Sequence, residues 1–330
     1  MKIKACLFTA FLLFSMTALA TGSEGQYDPS VPRPTMSNVS YGPHERNILD
    51  FWKAPSDEPA PLVFVIHGGS WAFGSKERVH RSVDVGTLLE NGISVVAINY
   101  RFLSQAGNVF PPVAVPLHDA ARALQFVRSK ASEWNVDTTR IGAAGGSAGA
   151  CTSLWLAYHD DLAVPDSNNP VARESTRLSC VAAKDAQTTL DPVQMKAWTP
   201  NSRYGGEAFG QKDFEQFLAK RESLLPWISE YSPYVLAGPE APPVALFYLA
   251  PPSMGQPQED PTHTANFGVG FKEHCRKLGI ECELVYPDAP EVKFATVEDF
   301  LIAKLKGVVG FPKGGRGQAG NRIREGSCSL

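Results

Sequence analysis

Gly145-Gly146-Ser147-Ala148-Gly149 constrains this chain more than any other stretch, because of what flanks it. Before it runs Ile141-Gly142-Ala143-Ala144, a short apolar segment that reads as a strand. After it, Ala150 to Tyr158 reads as a helix. A chain that passes from strand to helix in so few residues turns sharply. Side chains two residues before and two after the serine would collide with neighbouring strands and the helix, so glycines stand there. The turn lifts the serine Oγ clear of the backbone, and the helix N-terminus beneath it favours developing negative charge. Glycine–serine turns without that context are common and carry no chemistry. With it, Ser147 is a candidate nucleophile.

The rest of the sequence alternates in the same way. Strand candidates are Pro61 to Ile66, Ile93 to Asn99, Leu178 to Ala183, Val244 to Leu249 and Glu281 to Tyr286. Helical spacing marks Val79 to Glu90, Leu117 to Trp134, Asn266 to Leu278 and Val297 to Leu305. Apolar strand runs without strict period-two polarity, separated by helices, predict an α/β protein. Its sheet should be mostly parallel and covered by helices on both faces. Residues 160–177 and 186–240 interrupt the rhythm with polar and aromatic positions, among them Trp198, Tyr204, Phe209, Phe214, Phe217, Trp227, Tyr231 and Tyr234. Residues 186–240 are read either as an inserted cap-like wall or as a helical excursion packed by its own aromatics.

A second glycine motif follows the first of these strands: His67-Gly68-Gly69-Ser70-Trp71. Acyl transfer needs N–H donors where a carbonyl oxygen becomes an oxyanion, and glycines let the backbone approach a substrate without a Cβ. The N–H of Gly68 or Gly69, with that of Ala148, would form such a hole. His67 reads as a residue that shapes this loop. Trp71 either walls an acyl pocket or simply packs.

These two motifs, with Asn99-Tyr100-Arg101 and Asp119-Ala120-Ala121-Arg122-Ala123, resemble the HGG-bearing esterase and lipase branch of the α/β hydrolases. That branch includes secreted acetylxylan- and feruloyl-type esterases. The resemblance spans most of residues 38–306. It implies the α/β-hydrolase fold and a serine hydrolase acting on carboxylic esters, on small molecules or linked to polysaccharide, without a metal or organic cofactor.

The chain departs from that family where the base belongs. The family carries its acid after the penultimate strand and its histidine after the last. Here the last strand is followed by Tyr286-Pro287-Asp288-Ala289-Pro290-Glu291-Val292-Lys293-Phe294, with Glu291 near the expected histidine position. A serine hydroxyl is a weak nucleophile at neutral pH without a base in hydrogen-bond reach. The loop after the penultimate strand, Ala250 to His263, holds both an acid and a histidine. His263 is therefore the candidate base, oriented by Asp260, or by Asp185 or Asp191 after the strand ending at Ala183. His44, His80, His118, His159 and His274 read as structural or surface residues. Without a base, the same fold would be a weak or inactive protein that binds a ligand or partner.

The ends carry separate signals. Lys2 and Lys4, the apolar run Ala5 to Met16 and Ala18-Leu19-Ala20 read as an export signal over residues 1–20, with a secreted or periplasmic destination. The apolar run is short for a membrane span, so no stable span is expected. Residues 21–37 read as an extended, proline-containing leader, residues 38–310 as the hydrolase domain and residues 311–330 as a flexible basic tail. A formal net charge of −3 offers no electrostatic reason for nucleic-acid binding. Export permits disulfides. Cys275 and Cys282 are placed to approach each other, and Cys151 reads as a small apolar filler.

Overall fold

The computed structural model describes residues 25–307. The export signal and Cys6, and the basic tail with Cys328, lie outside the described residues. Eight strands form one sheet: β1 (Met36–Ser40), β2 (Ile48–Trp52), β3 (Ala60–Ile66), β4 (Ser94–Ile98), β5 (Val136–Gly146), β6 (Cys180–Lys184), β7 (Val244–Phe247) and β8 (Cys282–Val285). Their order is β1-β2-β4-β3-β5-β6-β7-β8. Only the β1–β2 and β2–β4 pairs are antiparallel; from β4 onward every pair is parallel.

Strand alternation divides the core in two. Leu62, Phe64, Ile66, Val96 and Ile98 face one layer; Val63, Val65, Val95 and Ala97 face the other. Because both faces are buried, these strands are continuous apolar runs. Helices α1 (Val85–Glu90) and α10 (Val297–Lys306) cover the second face through Leu88, Phe300 and Leu301. The first face is covered by α2 (Ala114–Ser129), α3 (Ala131–Trp134), α4 (Ala148–Tyr158) and α9 (Asn266–Leu278). All eleven residues of α4 are buried. Helices α5 (Pro192–Trp198), α6 (Phe214–Ala219), α7 (Arg221–Tyr231) and α8 (Pro233–Leu236) come from the aromatic insertion. Among the described residues no helix is long and apolar enough to cross a membrane.

Two expectations change. The helix expected over Val79 to Glu90 is two pieces: a 3₁₀ turn, Lys76–Arg81, then α1, which starts where the Asp84 carboxylate accepts the Thr87 N–H. The leader is not free of the domain. Tyr27 donates to Asp50 and packs edge-on against Trp52, Trp52 Nε1 donates to Pro32 O at 2.7 Å, and residues 36 and 37 begin β1. Cys275 and Cys282 do meet, as free thiols within side-chain hydrogen-bond reach. Cys151 is fully buried, and burial pushes its thiol pKa up, as befits a filler.

Candidate active site

Ser147 sits at φ 52° and ψ −122°, in a region of backbone space that side-chain-bearing residues avoid. Its N–H donates to Lys184 O at 2.9 Å, which ties the turn to the end of β6. The flanking glycines have a steric cause. A Cβ on Gly145 would lie 2.5 Å from the carbonyl carbon of Gly149, and a Cβ on Gly149 would strike Ile66 O. Strand β5, strand β3 and α4 therefore meet at backbone distance, which holds the serine at the sheet's carboxyl edge.

The histidine after the penultimate strand reaches this serine. His263 Nε2 lies 2.9 Å from Ser147 Oγ. On the other side of the ring, Nδ1 lies 2.7 Å from Asp260 Oδ2. The acceptor on that side sets the tautomer: Nδ1–H donates to Asp260, and Nε2 keeps its lone pair for the serine O–H. Asp260 also accepts the N–H groups of Thr262 (3.0 Å) and His263 (3.2 Å). Partial burial works against the carboxylate, but the bonds from His263 and these N–H groups prevail and hold its pKa below the usual 3.8.

The loop after β3 brings Gly68 against the elbow: a Cβ on Gly68 would lie 2.5 Å from Gly146 O and 3.4 Å from Ser147 Cβ. Among the described residues, the N–H groups of Gly68, Gly69 and Ala148 donate to no protein acceptor. The loop is braced from below. His67 stacks on Tyr100 with centroids 4.2 Å apart, its Nδ1–H donates to Gly68 O at 2.8 Å, and Tyr100 Oη donates to His67 O at 2.8 Å. Burial brings the His67 pKa down to about 3, so the ring is neutral at ordinary pH. Arg101 and Asp119 form a two-point ion pair at 2.9 and 2.6 Å that ties the segment after β4 to α2. Trp71 is buried, and its Nε1 donates to Thr152 Oγ1 at 2.9 Å.

The strap from Ala250 to Ala265 that carries His263 is held at both ends. Asn266, fully buried, donates to Trp198 O (2.9 Å), Ser253 O (3.0 Å) and Thr199 Oγ1 (3.1 Å), and accepts from Ser253 N (2.7 Å). Asn201 and Gln258 exchange side-chain and backbone bonds at 2.8 and 2.9 Å. Gln187 Nε2 donates to Thr262 O at 2.6 Å. The sequence offered no signal for Asn266 or Gln187, since their partners lie far along the chain. The aromatic insertion thus works mainly from behind the strap. It contributes no residue of 186–240 to the cavity of about 760 Å³ in front of Ser147, and lines an adjoining cavity of about 340 Å³ through Tyr204 and Glu207.

The alternative acids separate clearly. Asp191 caps α5 and holds Arg221 at 2.8 and 2.6 Å, away from the cavity. Asp185 lines the cavity, at φ 53°, without a hydrogen bond to His263. Burial pushes its carboxyl pKa up, against the field of His263 and Lys184. Glu291 is exposed on the turn after β8 and lines no part of the cavity. His274 stacks on Tyr234, His159 pairs with Glu230 at 2.9 Å, and His118 packs against Trp155 and Tyr231. His44 accepts the Arg46 N–H, and His80 is exposed.

Known proteins are similar to this chain in both sequence and shape. Over 124 residues it is 37% identical to the probable carboxylic ester hydrolase LipM of Mycobacterium tuberculosis, covering 36% of this chain and 27% of that protein. It is 32% identical over 102 residues to the versiconal hemiacetal acetate esterase of Dothistroma septosporum, covering 30% and 28%. The matches therefore span about a quarter of these relatives' length. The fold superposes on a truncated carbohydrate esterase from gut microbiota with a TM-score of 0.59 at 18% identity, over 79% of this chain and 89% of that one. It superposes on an acetyl ester-xyloside bifunctional hydrolase from Caldicellulosiruptor lactoaceticus with a TM-score of 0.58 at 20% identity, over 84% and 95%. The sheet order and the shape of these neighbours are those of the α/β-hydrolase fold. The BD-FAE family matches residues 49–248, the span from β2 through β7 that includes both glycine motifs, and the chain belongs to that family.

Proposed function

We propose that this protein is an exported serine hydrolase that cleaves carboxylic esters through an acyl-enzyme at Ser147. The observation that carries the reading is the continuous path from Ser147 Oγ to His263 Nε2 at 2.9 Å and from His263 Nδ1 to Asp260 at 2.7 Å. Ser147 Oγ attacks the ester carbonyl carbon while His263 Nε2 takes its proton. Asp260 stabilises the resulting imidazolium and keeps the ring oriented. The carbonyl oxygen becomes an oxyanion beside the free N–H groups of Gly68, Gly69 and Ala148. Collapse breaks the bond to the alcohol oxygen, which leaves with the proton from Nε2. Water, deprotonated by the same nitrogen, then attacks the acyl carbon and releases the acid and the free serine.

Relatives and neighbours whose names refer to carboxylic ester hydrolysis, carbohydrate esters and acetyl esters support this reaction class. We place the substrate among esters on small molecules or polysaccharide, met outside the cytoplasm in keeping with the N-terminal export signal. An inactive binding protein was the alternative suggested by the missing histidine after the last strand; His263 on the preceding strap supplies that base. Purified protein should hydrolyse 4-nitrophenyl acetate, and Ser147→Ala should reduce the rate to background. Equal rates in both proteins would sink the proposal.

A further inference from the structure

The cavity before Ser147 has one cationic wall. The 3₁₀ turn Lys76–Arg81 follows the Gly68-Gly69 loop and presents Arg78 and Arg81 to the cavity, beside Phe73. Among the described residues neither guanidinium has an ion-pair partner, whereas Arg101, Arg140, Arg221 and Arg276 are each matched to a carboxylate. Phe73 leaves 54% of its surface exposed, and the Arg78 guanidinium lies 5.7 Å from its ring centroid. Two arginines left without counter-charges at a concave, partly apolar surface fit an anion better than water alone.

This wall is fixed relative to the nucleophile. Lys184 O accepts the Ser147 N–H at 2.9 Å, and Lys184 Nζ donates to Arg81 O at 2.6 Å. One residue thus ties the serine to the turn. Ser82 closes the same side, its Oγ 4.0 Å from where a Gly146 Cβ would stand. The carboxylates of the cavity come from other elements. Asp260 is committed to His263, Glu259 stands beside it on the strap, and Asp185 follows β6. The turn supplies Arg78 and Arg81 to the cavity that Ser147 faces, while the strap supplies Glu259 and Asp260.

Resting on the esterase reading above, we propose that Phe73, Arg78 and Arg81 form a subsite for a carboxylate borne by the ester, so that the preferred substrates are anionic esters whose carbon skeleton lies on Phe73. The carboxylate belongs to either the acyl part or the alcohol part, and matched substrates separate the two. Monomethyl adipate against dimethyl adipate places the charge on the acyl side. 4-Acetoxybenzoate against its methyl ester places it on the alcohol side. For at least one pair, kcat/KM of the wild-type protein should favour the anion by about tenfold at low salt. Surface charge pairs, here two acting together from half-buried Arg78 and exposed Arg81, support a preference of that order. The preference should shrink at 0.5 M NaCl and collapse in Arg78→Gln/Arg81→Gln. Each ratio is taken within one protein, so a general loss of activity does not imitate the result. Preference for the neutral ester in both pairs, or a ratio that survives the double substitution, overturns the subsite. Calorimetric titration of 4-acetoxybenzoate and monomethyl adipate into Ser147→Ala, with and without the two arginine substitutions, needs no turnover. Binding of either anion that requires the arginines supports the subsite even if the esterase reading fails, and no binding of either overturns it.

Discussion

Gln187 reaches from the end of β6 to the carbonyl of Thr262, one residue before His263, at 2.6 Å. The same amide nitrogen lies 3.1 Å from Asp185 O, so a single fully buried side chain couples the sheet edge to the strap that carries His263. Gln187→Leu keeps the volume but leaves Thr262 O without its donor. The expected result is a fall in kcat of roughly tenfold, with stability lower by about 1–3 kcal/mol. Steady-state kinetics beside a denaturant titration separate these effects. An unchanged kcat in a destabilised protein would show that the strap keeps its place without Gln187.

Removing members of the relay should give unequal losses. Ser147→Ala and His263→Ala should both reach background, because the proposed nucleophile and base would act as a unit. Asp260→Asn keeps the size but offers His263 the wrong hydrogen-bond character, and should cost about 10²–10⁴-fold in kcat. Asp185→Asn, which touches no atom of the relay by hydrogen bond, should cost less than tenfold. If Asp185→Asn proves the more damaging of the two, the acid is Asp185.

Asn266 satisfies four hydrogen bonds in a fully buried position. Asn266→Ala strands Ser253 N–H and takes one donor each from Trp198 O, Ser253 O and Thr199 Oγ1. A loss of about 3 kcal/mol or more is expected. Limited proteolysis should then cut within residues 250–265 before any other segment. Cleavage that begins elsewhere would mean the strap holds without this anchor.

His67 predicts a pH dependence of stability with a definite sign. Its pKa falls from 6.5 to about 3 because the ring is buried. Between those values the unfolded chain binds a proton that the folded protein refuses. Stability is therefore full above pH 6.5 and lost progressively as pH falls toward 3, by a few kcal/mol in all. His67→Gln should have a lower Tm at pH 8 but a flatter fall between pH 6.5 and 4. Parallel Tm curves for the two proteins would assign the acid sensitivity to other groups.

The parts of this molecule that depend on neighbours in sequence were the most legible. The Gly145-to-Gly149 pattern marks a strand-to-helix turn in adjacent residues, and Asn266–Leu278 is a helix with an apolar stripe and Gly279 at its end. Strands β3 and β4 stood out because both faces are buried. β1, Met36–Ser40, did not, since it is a short edge strand with no fully buried residue. The break at Ser82 to Asp84 was hidden by apolar spacing that continues across it, at Val79, Val83 and Leu88. His263 stands out by elimination, as the histidine on a loop that leaves the carboxyl end of a strand, and its ring lies 2.9 Å from Ser147 Oγ. How the aromatic insertion serves the site was beyond reach, because its contribution runs through Trp198 O, Thr199 and Asn201, whose partners lie more than fifty residues away.

Asp260 and His263 stand three residues apart on one strap, bonded by both side chain and backbone. In the proposed relay, acid and base therefore share one piece of chain. Any displacement of the strap from the sheet would carry the imidazole away from Ser147 with its carboxylate still attached.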